Sequence, residues 1–132
     1  MSQENVEFVR EVWKAYVDRG IDAASDYYAD GCVIEDLQDL PDGRIYAGGK
    51  GLRERYWQFV EVWGEFSAKP LEFIDGGGSV VVVAAITGRA AGSGLPLDAP
   101  LVFVYDVLDR RIVRDRAFVS KHDALKAVGL EE

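Results

Sequence analysis

"LDAPLVFVYDVL", residues 97–108, is the stretch on which the fold turns. Side chains of a strand point alternately to its two faces. Leu101, Phe103, Tyr105 and Val107 fall on one face and Val102 and Val104 on the other, so this strand is apolar on both sides. Both sides want cover. Working outward, further strands are read at Leu71 to Asp75, Ser79 to Ala91 and Ile112 to Ser120, separated by glycine, proline or aspartate turns. The second half of the chain is therefore a long antiparallel meander.

The first half is mostly helical. From Ser2, a fitting N-cap, apolar residues recur at Val6, Val9, Trp13 and Tyr16 until Gly20 ends the run. A short second helix is read from Asp22 through Tyr28, closing before Gly31, and then the strand "YADGCVIEDL" overlaps its end at residues 28–37. Gln38 to Gly43 reads as a loop with Pro41-Asp42-Gly43 as its turn, and Ile45 to Ala47 as a brief strand. Gly48, Gly49 and Gly51 open a third helix with a stripe of Leu52, Tyr56, Phe59 or Val60, and Trp63. A last short helix is read from Asp123 to Val128. Helices first and a meander after them predict α+β, with the helices gathered on one face of a curved sheet. Helices cover one face only, so a homodimer through the sheet is expected, and the alternative is cover by the C-terminal helix or a loop.

Composition narrows the classes of function. The 132 residues make one domain, 1–132, with 48% hydrophobic and 29% charged residues. A net charge of −8 without any run of lysine and arginine offers no footprint for nucleic acid. The longest apolar run, Val80 to Ile86, is too short to span a bilayer. The polar, acidic start lacks the pattern of a secretory signal, and the cytoplasm is the expected compartment. One cysteine and one histidine make no zinc cluster, so neither metal nor cofactor is expected.

Residues 28–37 pose the chemical question. Cys32, Ile34 and Asp36 share a face, so a carboxylate is aimed along hydrocarbon. Such a group needs a partner, a raised pKa or a job. As a base it suits proton abstraction next to a carbonyl, and as a structural group it caps backbone amides or pairs with an arginine.

Three segments together, "ENVEFVREVWKAYVDRGIDAASDYYADGCVIED" (4–36), "YAGGKGLRERYWQF" (46–59) and "RIVRDRAFVSKHDALKAVGL" (111–130), resemble the SnoaL-like branch of the nuclear-transport-factor-two-like superfamily. That resemblance implies a cone-shaped antiparallel sheet with helices on its concave face, a fold shared with ketosteroid isomerase. Its members include isomerases, polyketide cyclases, epoxide hydrolases and dehydratases, as well as binding proteins without known chemistry. It implies Asp36 at the position of the isomerase base. The isomerase's tyrosine donor falls at Trp13 and its protonated aspartate near Val102, so both of those donors are replaced. Tyr16, one turn after Trp13, offers another. The hydrolase pattern of two aspartates and an arginine also fails, because its final-strand aspartate falls at Ala117.

On the last strand Val113, Asp115, Ala117 and Val119 share a face that the resemblance turns inward, and Asp115 and Asp36 are expected in one hollow as acid and base. The opposite register would bring Arg114, Arg116 and Phe118 inward. Arg55, at the edge of the third helix's stripe, reads as an anion clamp or carboxylate partner, or else as an arginine whose stem covers the core. Trp13, Tyr16, Tyr56, Ile34, Val102 and Ala117 complete the expected ligand contacts. Cys32 reads as a buried thiol and His122 as an exposed residue without a role. The expected function is cofactor-free isomerisation or cyclisation of a small hydrophobic carbonyl compound, and the alternative is a ligand-binding or accessory protein without turnover.

Overall fold

A computed structural model describes residues 2–37, 45–64, 66–90 and 92–130, so the turn expected at Pro41-Asp42-Gly43 lies outside the described residues. The elements are α1 (Ser2–Arg19), α2 (Ile21–Ser25), β1 (Tyr28–Leu37), β2 (Ile45–Ala47), α3 (Gly48–Trp63), β3 (Phe66–Asp75), β4 (Ser79–Arg89), β5 (Pro96–Leu108), β6 (Arg111–Phe118) and α4 (Lys121–Ala127). Glycine stops α1 at Gly20, which takes the left-handed φ of 93° that other residues avoid. Tyr28 opens β1 and does not end α2, a correction with a simple cause: it continues the alternation of Cys32, Ile34 and Asp36.

The architecture is α+β, a curved six-stranded sheet in the order β2-β1-β6-β5-β4-β3. One pairing departs from the expected antiparallel pattern, because β1 lies parallel to β6. Parallel neighbours cannot be joined by a hairpin. Here most of the chain separates them, so the sheet is mixed.

Each side of the sheet carries an apolar cluster. On the inner side Phe8, Val9 and Trp13 of α1 pack with Ile34, Val80, Val82 and Ile112. On the outer side Val81, Val102, Val104 and Phe118 pack under Ala124, Leu125 and Val128 of the C-terminal segment. Val102 and Val104 are 1% and 0% exposed within a single chain. For these two residues α4 supplies the cover, as in the alternative the sequence offered. Ser120 caps α4 by accepting from the Asp123 amide at 3.2 Å.

Two local features set the inner wall. Between Val107↔Ile112 and Asp106↔Arg114 the β6 strand carries one extra residue, Val113, and this bulge brings Ile112 into the inner core. Val119 lies beyond β6 and is 52% exposed, so it does not share the inward face expected of it. At the start of α3, a Cβ on Gly51 would lie 2.7 Å from Tyr46 Cβ. Only glycine lets α3 sit this close to β2.

Phe118→Ala removes the largest side chain beneath α4 and is expected to lower stability by about 3–5 kcal/mol. Urea unfolding measures it; a loss below about 1 kcal/mol would mean that the outer cluster adds little.

Candidate active site

Between the helices and the inner face of the sheet lies a cavity of about 320 Å³. Its walls are largely aromatic, with Trp13, Tyr16, Tyr56, Phe59, Phe66 and Phe103 among them. Tyr16 and Tyr56 meet edge to face at 5.9 Å, and Phe59 and Phe66 at 4.8 Å. Val62 also lines the cavity and is 60% exposed, so the space opens near the end of α3.

Asp36 lines this cavity and is partly buried. Its position depends on a bulge. β1 and β6 pair at Glu35↔Arg116 and next at Leu37↔Ala117, which leaves Asp36 as the extra residue. Bulges re-aim side chains. Glu35, its neighbour, faces the other side of the sheet and pairs with Arg114 at 2.6 Å.

Asp115 is 0% exposed and stands opposite Ile34 across the β1–β6 pair. It accepts from Arg55 Nη1 at 3.0 Å, from Arg55 Nη2 at 2.8 Å and from the Tyr28 hydroxyl at 2.6 Å. The arginine engages both carboxylate oxygens end-on, the geometry that makes such pairs strong. Arg55 Nη1 also donates to the Glu35 carbonyl at 3.3 Å, and the guanidinium carbon lies 5.7 Å from the Phe103 ring centroid. Arg55 is thus a carboxylate partner whose side chain, 14% exposed, still lines the cavity. Asp115 itself stands behind the wall.

A second buried hydrogen bond lies beside this pair. Trp13 Nε1 donates to the Tyr105 hydroxyl at 3.1 Å. Burial, followed by the charge of Asp115, pushes both Tyr28 and Tyr105 well above the usual tyrosine value. Burial also raises Tyr16. Cys32 is fully buried and its thiol is pushed up to about 12, first by burial, which suits an inert core residue.

The structure brings Asp36, Trp13, Tyr16, Arg55, Tyr56 and Ala117 to one cavity. Two expected contacts fall elsewhere. Val102 lies on the opposite face of β5 under α4, because strand parity separates it from Leu101 and Phe103. Ile34 is sealed in the inner core at 0% exposure and is absent from the lining. Trp13 lines the cavity, but its N–H is engaged by Tyr105. Tyr28 and Tyr105 are the residues that sequence reasoning passed over. The parity of Tyr28 with Asp36, and of Tyr105 with Phe103, was the signal available.

The SnoaL-like domain family model matches residues 9–115 of the chain. No curated protein matches it by sequence. Its fold is similar to that of an NTF2-like protein of unknown function from Burkholderia pseudomallei K96243, with 18% identity, TM-score 0.75, and 95% of this chain and 97% of that one covered. It is likewise similar to a putative SnoaL-like polyketide cyclase from Jannaschia sp. CCS1, with 20% identity, TM-score 0.71 and coverage of 98% and 94%. A protein of ketosteroid isomerase-like fold from Catenulispora acidiphila DSM 44928, in complex with trimethylamine, matches with 16% identity, TM-score 0.69 and coverage of 91% and 93%.

Asp115→Ala leaves a buried arginine without its counter-charge and is expected to cost about 3–5 kcal/mol, whereas the double variant Arg55→Met/Asp115→Leu recovers most of that. Chemical denaturation of the three proteins checks it; a double variant less stable than the single one would mean that the two charges are not coupled. The tyrosines give a pH dependence. The unfolded chain releases their protons near pH ~10 while the folded chain retains them, so stability falls as pH rises above that value. Urea midpoints that stay level across this range would show that Tyr28 and Tyr105 ionise freely in the fold.

Proposed function

The chain belongs to the SnoaL-like family, and from that premise we propose that it is a small-molecule enzyme carrying out cofactor-free isomerisation or cyclisation of a small hydrophobic carbonyl compound. Asp36 is its base. The observation that carries this reading is the placement of a carboxylate, by a strand bulge, on the wall of an otherwise largely aromatic cavity. Aromatic walls select a flat apolar ligand, and a base beside it takes a proton from the carbon next to the carbonyl. Asp36 returns the proton at another carbon for isomerisation, or the carbanion closes a ring for cyclisation. Asp115 enters as the residue that fixes Arg55, in place of the acid expected from sequence. With three donors upon it, it has little left to offer a substrate.

Proton abstraction can be followed without knowing the natural substrate. β-Tetralone, an aryl ketone with acidic protons next to its carbonyl, is incubated with the protein in D₂O and followed by proton NMR. The wild type is expected to speed exchange in proportion to its concentration, and Asp36→Asn to reduce that gain by about 10²-fold or more. Exchange no faster than in buffer would overturn the proposal and leave a ligand-binding protein.

A further inference from the structure

The mechanism above generates an oxygen anion, and one group in the cavity is built to receive it. Arg55 has five N–H donors. Its end-on edge is committed, with Nη1 and Nη2 on Asp115 and the other Nη1 hydrogen on the Glu35 carbonyl. The side edge, Nε–H and the second Nη2 hydrogen, meets no acceptor among the described residues. Nor is Nε sealed away, because among the described residues the buried side-chain nitrogen without a partner is Arg116 Nε. Three hydrogen bonds and the Phe103 ring hold the guanidinium in one orientation, leaving a pair of parallel donors in a side chain that lines the cavity.

The base stands next to it. The Glu35 carbonyl that anchors Arg55 belongs to the peptide leading into Asp36. Of the other donors, Trp13 serves Tyr105 and Tyr28 serves Asp115. Tyr56 also lines the cavity and is the competitor to be tested.

We infer that the Nε/Nη2 edge of Arg55 receives the carbonyl oxygen of the ligand and holds it as an enolate, which makes Arg55 a catalytic residue and an enolisable aryl ketone the substrate class. This rests on the proposed function. In the step, the C–H bond next to the carbonyl breaks, its proton goes to the Asp36 carboxylate, its electron pair forms the new C=C bond, and the carbonyl π pair moves onto oxygen. Negative charge leaves Asp36 and arrives beside Arg55, so the net charge of the cavity is unchanged. A fixed donor pair aimed at developing charge needs no reorganisation as that charge forms.

β-Naphthol, a flat aromatic with one ionisable oxygen, reports on this edge through the ultraviolet spectrum of its anion. The Asp36→Asn protein holds position 36 neutral, as it is after proton transfer. Bound to it, the naphthol is expected to ionise about one to three pH units below the free compound. Adding Arg55→Lys abolishes that shift, adding Tyr56→Phe preserves it, and β-methoxynaphthalene binds all three proteins alike. Naphthol that fails to bind Asp36→Asn, or binds it only in neutral form, overturns the inference. So does a shift that survives Arg55→Lys or vanishes with Tyr56→Phe. If Arg55→Lys does not fold by circular dichroism, the Asp36→Asn and Asp36→Asn/Tyr56→Phe spectra decide alone. The exchange assay fails separately: no exchange with ionised bound naphthol removes the proposed function and leaves the anion receptor, while exchange without a naphthol shift removes only the receptor.

Discussion

The bidentate pair between Arg55 and Asp115 is the interaction around which the rest is arranged. It joins the middle of α3 to the middle of β6, and through the Glu35 carbonyl it reaches β1 as well. Burying two charges is costly unless their geometry is good and their remaining hydrogen-bonding capacity is met. Tyr28 meets much of it on the aspartate side, and Trp13 and Tyr105 form a separate buried bond between α1 and β5. A pair that adds little stability over a hydrocarbon replacement still demands one arrangement of three elements. Its value lies in specifying geometry.

The sheet explains how such a network stays dry on one side and accessible on the other. β5 is apolar on both faces, and each face serves a different layer. Val102 and Val104 are covered by α4, while Leu101 and Phe103 line the cavity and Tyr105 sits in its polar wall. The short C-terminal helix thus makes the sheet a closed boundary, so α1 and α3 stand apart on the inner side without exposing the core.

Strand and helix periodicity made the element order legible, and with it the fold class and the aromatic character of the cavity, while the inward turn of Asp115 was what the resemblance implied. Two kinds of information were not in the pattern. Bulges are breaks in periodicity, so those at Val113 and Asp36 could not be read from it, and Val119 was misplaced because the strand was read past its end at Phe118. Partner choice is the other. That Asp115 takes both Arg55 and Tyr28, from positions 60 and 87 residues away, is settled by three-dimensional packing and leaves no local trace. Val102 was a different kind of error. Its parity was visible against Leu101 and Phe103, and an assignment carried over from resemblance outweighed it.

One turn before Arg55, the backbone of Gly51 rests against Tyr46 where no side chain would fit. The contact works as a fulcrum. A methyl group there would pry the helix from β2, and the leverage would be felt one turn on, where the guanidinium must meet its carboxylate to within a few tenths of an ångström. Alignment of the reactive cavity is therefore adjustable from a point that touches no ligand, and drift at that hinge would alter chemistry before it altered the fold.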